Sequence, residues 1–279
     1  MISGDMVNDI VYKNDKIYIE NVSCFDLAKT LDCGQAFRWE EDENGRWHGI
    51  AGGKYATLYN ENGKIVIENV DKRDFEDFFL NYFDLERDYD KILSDMSVNE
   101  KINAARKAGH GIRILNQEPF EALISFIISQ NNNIPRIKGI IKRLCENFGE
   151  KTEGGYTFPS PSTLASLEIE DLAALRSGFR AKYIIDAARK VSSGEINLEH
   201  IKTLNIDKAR DALMTIKGVG PKVADCAMLY GMGFINAFPK DVWIKRALLE
   251  YFDGTLPDCA KEYAGIAQQY IFYYIRTTA

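Results

Sequence analysis

Cysteine is scarce and scattered in this chain: Cys24, Cys33, Cys145, Cys226 and Cys259, with no Cys-x-x-Cys pair. An odd, unclustered set offers no disulfide framework, zinc ribbon or iron–sulfur site. Histidine is rarer still, at three dispersed positions, so a metal-dependent mechanism has no visible ligands and no cofactor is expected. No apolar run approaches a membrane span, and the opening MISGDMVNDIVYKND has no basic start followed by an apolar core. A cytoplasmic monomer without membrane contact is the default expectation. Low-complexity linkers and internal repeats are also missing.

An excess of positive charge is absent overall, the net charge being −6. That average hides a division. Residues 1–100 hold 11 Lys+Arg against 22 Asp+Glu, whereas residues 101–279 hold 24 against 19. Such asymmetry marks an anionic partner on the basic side, or simply two differently solvated faces, and on charge alone the second is commoner.

The first third reads as β-structure. KIYIENV, RWHGIAG, KYATLYN and KIVIENV are short runs rich in Ile, Val, Tyr and Trp with partial alternation. Asn62-Gly63 between the last two favours a tight hairpin turn. After about residue 72 the spacing becomes helical, through DFEDFFLNYFDLERDYDKILSDM and NEKINAARKAG. In EPFEALISFIISQ, Pro119 suits a first turn and Phe120, Leu123, Ile124, Ile127 and Ile128 make one apolar stripe. The rest is helical in pattern apart from the loop EGGYTFPSPST. The expected class is α+β: an N-terminal antiparallel sheet domain with helices (1–100), then a mostly helical body (101–279).

Within the body, ARDALMTI and VADCAMLYG flank KGVGP, the pattern of a helix–hairpin–helix over about 207–231. Gly218 and Gly220 permit backbone angles that side chains forbid and leave N–H groups bare at a helix start, a geometry suited to a phosphate oxygen. Lys222 opens the second helix, where the macrodipole disfavours its charge. Sequence physics alone makes such a lysine a solvated residue more often than a nucleophile. Likewise Asp241, ahead of VWIKRALLEYF, is more often only an N-cap.

LMTIKGVGPKVADCAML followed by NAFPKDVWIKRALL resembles the helix–hairpin–helix superfamily of DNA base-excision glycosylases. The resemblance implies a strand-cleaving member with Lys222 as the nucleophile and Asp241, in a loop at about 237–243, as its catalytic carboxylate. A helix start and an apolar surround favour the uncharged amine, which attacks the anomeric carbon as the base leaves.

Four further stretches resemble the 8-oxoguanine DNA glycosylase/lyases. LDCGQAFRW implies that the Gly34 carbonyl accepts from the N7–H that oxidised guanine has and guanine lacks. SQNNNIPRI implies that Asn131 fills the gap left in the duplex and Arg136 contacts the estranged base. SGFRAKYI implies Phe179 as a wedge and Arg180 as a second estranged-base contact. GIAQQYIFYY implies Gln268 on the Watson–Crick edge of the base and Phe272 on one face, with Cys226 on the other. The implied partner is duplex DNA containing 8-oxoguanine.

Eukaryotic members usually carry histidine where Trp243 stands, tyrosine at Phe179 and serine at Gln130; these departures fit a bacterial-type member. Two rival readings stay open, a glycosylase for another damaged base and a non-catalytic helix–hairpin–helix DNA-binding protein.

Overall fold

Asn62 and Gly63 both adopt positive φ, 50° and 77°, closing β5 (Lys54–Glu61) onto β6 (Lys64–Glu68) with Glu61 opposite Lys64. That pair of angles is what a two-residue primed turn requires. A computed structural model describes residues 9–278; the opening stretch read for a leader lies outside the described residues through position 8. Around the hairpin a six-stranded antiparallel sheet forms, in the order β1 (Asp9–Lys13), β2 (Lys16–Glu20), β6, β5, β4 (Trp47–Ala51) and β3 (Trp39–Glu41). The outer strands are β1 and β3, with β2 and β4 inside them. One face packs Trp39, Leu58 and Ile67 against Phe75, Phe79 and Phe83 of the segment that follows the sheet. Gly49 is needed here, because a Cβ would lie 2.3 Å from the Trp39 ring.

That following segment is largely helical, as its spacing predicts, but it is not continuous. A π-helical turn at Phe75–Phe79 interrupts it, the chain turns at Asp84 with φ 51°, and a new helix starts at Tyr89 with Asp88 as its cap. The EGGYTFPSPST loop is also more ordered than expected. Lys151–Thr152 pairs with Gly155–Tyr156, and a short helix covers Pro161–Ala165.

A second core gathers the helices. At its centre the Pro119–Ser129 helix is buried on nearly every side, and Gly231 of the Pro221–Gly231 helix approaches it so closely that a Cβ would sit 2.7 Å from Ala122. The last helix, Ala264–Thr278, closes this core by laying Tyr270 on Gly109 and donating its hydroxyl to the Ile112 carbonyl.

Buried polar groups tie the sheet to the helices. Gln35 is fully enclosed; its amide donates to the Thr30 and Arg113 carbonyls and accepts from Leu115 N–H. Arg38 pairs with Glu121 at 3.1 Å and also donates to the Tyr156 carbonyl. Burial pushes the Glu121 carboxyl up, with Arg38 opposing it. Arg38→Met leaves that carboxylate buried without a partner and is expected to cost about 3 kcal/mol of stability. A carboxyl whose folded value lies above its unfolded one loses stability as pH rises through that window, so the deficit shrinks in mildly acid solution. Urea unfolding at pH 5 and pH 8 (roughly bracketing the effect) reads both parts.

Candidate active site

The hairpin is built as its sequence requires, with one change. Helices Ile206–Met214 and Pro221–Gly231 flank the turn, and Pro221 occupies the first helical position after Gly220. Gly218 has φ +78°, and a Cβ there would meet the Tyr183 ring at 2.4 Å. Gly220, by contrast, has an ordinary φ of −101° and open space around it. The expectation that both glycines supply forbidden angles therefore holds only for Gly218, whose bare side is filled by protein. Gly220 is the glycine whose bare side is open. Gly218→Ala is expected to lower stability by about 2 kcal/mol through strain and clash. Gly220→Ala should leave the melting temperature unchanged while weakening duplex binding, so paired melting and titration experiments separate the two roles.

An ion pair braces the hairpin. Arg210 on the first helix donates to Asp225 on the second at 2.7 Å, and Asp225 is nearly buried. Burial pushes the Asp225 carboxyl up while Arg210 pulls it down. Asp225 lies three residues after Lys222, so the bracing fixes the first turn from which Lys222 projects. Lys222 itself is half-buried, with Nζ 5.3 Å from the centroid of the Phe126 ring. It also lies against the buried Cys226 thiol, which burial pushes up and Lys222 draws down. Lys222, Arg210, Lys240, Lys245 and Lys261 line one cleft of about 700 Å³, with Asp225 among them. The rim is thus strongly cationic, and it lies in the basic part of the chain.

Asp241 caps the Val242–Tyr251 helix, its Oδ1 accepting from Ile244 N–H at 2.8 Å. Burial is the main cause that pushes the Cys226 thiol and the Tyr230 hydroxyl up, and the Asp241 carboxylate is close enough to add to both. Lys222 and Asp241, 19 positions apart in sequence, thus share Cys226 as a neighbour.

On the sheet side, Gly34 has φ +88°, and its missing side chain faces the last helix. A Cβ there would be 3.8 Å from Phe272 and 3.5 Å from Ile134. Gly34 and Phe272, 238 positions apart, are brought face to face. Gln268 lies one turn before Phe272 on the same helix and so on the same face; it is 5% exposed. Arg276, one turn after Phe272, sets its guanidinium 5.3 Å from that ring, a neighbour that sequence reasoning did not single out.

A third cluster contains the proposed duplex contacts. Asn131 is exposed with φ 47°, Arg136 is exposed, and Asn133 caps the helix that carries Arg136. Phe179 stands 48% exposed, edge-on to Tyr183. Arg180 differs from expectation. It is 2% exposed, and its guanidinium donates to the carbonyls of Gln130, Asn131 and Ser177. Instead of being presented outward, it staples the Phe179 loop to the asparagine loop, fixing the spacing of Phe179 and Asn131.

Two buried side chains escaped the sequence reading, Tyr230 and Gln269. Tyr230 follows Cys226 by one turn, and Gln269 adjoins Gln268 in an otherwise apolar helix. Two adjacent amides inside GIAQQYIF were the available signal.

Among the described residues, no group of three or more His, Cys, Asp and Glu is placed to hold a metal, and no helix is long and apolar enough to cross a membrane.

Comparison with known proteins identifies the family and the fold. A family model described as the 8-oxoguanine DNA glycosylase N-terminal domain matches residues 17–123. A second, the HhH-GPD superfamily of base excision DNA repair proteins, matches residues 124–258. The N-glycosylase/DNA lyase of Saccharomyces cerevisiae is 35% identical over 84% of this chain and 70% of its own length. Among solved structures, MBOgg1 with a low-affinity DNA ligand superposes with a TM-score of 0.91 at 42% identity, covering 98% of this chain and 99% of that one. The Clostridium acetobutylicum 8-oxoguanine glycosylase/lyase, bound to duplex DNA with cytosine opposite 8-oxoguanine, gives 0.90 at 39% identity over 96% and 97% of the two chains. The chain belongs to the 8-oxoguanine DNA glycosylase family, within the HhH-GPD superfamily of base excision DNA repair proteins.

Proposed function

We infer that this chain removes 8-oxoguanine from duplex DNA and then cuts the strand through a lysine Schiff base. The observation that carries the reading is the meeting of Gly34 with the Phe272 helix, whose Gln268 and Gln269 reach Tyr230 on the same helix that carries Lys222. A flipped nucleotide enters between the sheet domain and the helical body, with Phe179 and Asn131 occupying the stack it leaves. Its base lies between Phe272 and Cys226. The Gly34 carbonyl accepts from N7–H, which normal guanine lacks; a guanine there would oppose lone pair to lone pair.

The Lys222 amine forms a bond to C1′ as the bond to the base breaks, and the base departs with that electron pair. Asp241 stabilises the positive charge that develops on the sugar. Ring opening gives the imine between Nζ and C1′. Loss of a C2′ proton then expels the 3′ phosphate by β-elimination, and hydrolysis frees the lysine. A DNA substrate together with five free cysteines supports a reducing compartment that contains DNA, the cytoplasm in a bacterial cell.

The test uses duplexes carrying 8-oxoguanine opposite each normal base, resolved with and without alkali. Strand cutting without alkali is the expected result. Equal release of an alkylated purine from a matched duplex would refute the base assignment, and salt-sensitive binding without any base release would refute catalysis.

A further inference from the structure

The two groups assigned to read the base, Gly34 and Gln268, are joined by a buried chain of polar groups. Gln269 Nε2 donates to the Cys33 carbonyl at 3.1 Å, on the peptide that leads into Gly34. Tyr230 donates its hydroxyl hydrogen to Gln269 Oε1 at 2.5 Å. The same hydroxyl oxygen lies 3.3 Å from the terminal amide of Gln268, with Oε1 nearest. All four residues are nearly buried, so an unmatched donor or acceptor among them is costly.

A hydroxyl has one hydrogen. The Cys33 carbonyl orients Gln269 with its nitrogen toward Cys33 and its oxygen toward Tyr230, so the short contact takes that hydrogen. Gln268 then faces only lone pairs. Two oxygens at 3.3 Å are long for an O–H···O bond, and an amide rotated by 180° puts Nε2 there instead, as a donor. We propose that Tyr230 and Gln269 act as positioning residues that fix the polarity of Gln268, so that its carbonyl oxygen faces the base pocket. Burial, chiefly, pushes the Tyr230 hydroxyl well above its ordinary range, which keeps the hydrogen in place. The ring is itself held, stacked on Phe126 at 5.1 Å, and the Tyr230 carbonyl accepts from Gln117 N–H.

This polarity has a chemical consequence. An acceptor in the pocket pairs with N1–H and the exocyclic amine of a guanine-type base. An adenine-type base presents a lone pair at N1 and is rejected. 8-Oxoadenine has the same N7–H as 8-oxoguanine, so the Gly34 carbonyl does not separate the two; Gln268 does.

The proposal rests on the 8-oxoguanine reading, and the experiment keeps the two apart. Native protein on an 8-oxoguanine duplex tests the reading, while the ratio of variant to native tests the relay. Single-turnover excision of 8-oxoguanine and 8-oxoadenine is measured for native, Tyr230→Phe and Gln269→Leu. Cleavage of a preformed abasic site, which uses Lys222 but reads no base, is measured alongside. Tyr230→Phe keeps the ring on Phe126 but frees the Gln268 amide to turn. Gln269→Leu lets the Tyr230 hydrogen point at Gln268 and reverses the polarity. Both variants are expected to lower the 8-oxoguanine to 8-oxoadenine ratio by at least about tenfold, with abasic-site cleavage within about twofold of native. A ratio unchanged in both variants would overturn the proposal. So would a parallel loss of excision and abasic-site cleavage, which marks a role in folding alone.

Discussion

Replacing Lys222 by glutamine is expected to abolish the borohydride-trapped covalent adduct and to slow base release by at least about 10³-fold. Glutamine keeps most of the length of the side chain and its contact with Phe126 but has no nucleophilic lone pair. The fold should not suffer. Lys222 is the second residue of its helix, where the dipole opposes a cation, so removal of the charge is neutral or slightly favourable. Its carbon stem is only half-buried, and the bracing of that turn comes from Arg210 and Asp225. Melting temperature and duplex affinity are therefore expected to stay near native while the adduct vanishes. Persistence of the adduct would move the nucleophile to another amine. In the same cleft, Lys240 and Lys245 flank Asp241 and are the obvious alternatives.

The placement of Lys222 at a helix start was legible because its signals are local, a glycine turn and a proline at the first helical position, whereas its role as nucleophile is implied only by the family resemblance. Asp241 was legible for the same reason, since a carboxylate three residues ahead of a helical amide is a cap by spacing alone. The inner strands could be read from β-branched residues in partial alternation, and Asn62-Gly63 marked their turn. β1 and β3 could not. β3 has only three residues, and β1 is an outer strand whose Val11 and Tyr12 are both exposed, leaving no buried periodicity to find. The break at Asp84 was hidden because Phe and Leu continue at helical spacing on both sides of it. Part of what holds that break is tertiary: Arg113 donates to the Asp84 carbonyl, while the nearby Tyr89 and Arg87 bind its carboxylate. Arg180 shows the same limit in the site. Nothing in SGFRAKYI tells an outward arginine from one that spans 49 positions to reach the Asn131 carbonyl. Tyr230 and Gln269 reach each other over 39 positions, and their pairing has no local signature.

Asp241→Asn is expected to slow base excision by about 10²–10³-fold without a matching loss of stability. The prediction depends on the two jobs of this side chain being separable. As an N-cap, Asp241 uses one oxygen to accept from Ile244 N–H, and asparagine offers an equivalent oxygen at the same position with similar capping preference. The helix start is then preserved to within about 0.5 kcal/mol. What asparagine lacks is the full negative charge, which matters only as positive charge grows on the sugar. Such a group acts in the transition state, so kcat should fall while duplex affinity holds or rises slightly as a carboxylate is removed from beside the phosphates. Asp241→Ala makes the contrast. It removes the cap as well as the charge, and should lose about 1 kcal/mol of stability on top of the same catalytic deficit. Single-turnover excision, duplex titration and thermal melting on the two variants resolve the roles. Equal melting losses in both would mean that the amide does not replace the cap. Near-native excision by the asparagine variant would show that the carboxylate is structural, and that the hairpin lysine and the pocket supply the rate between them.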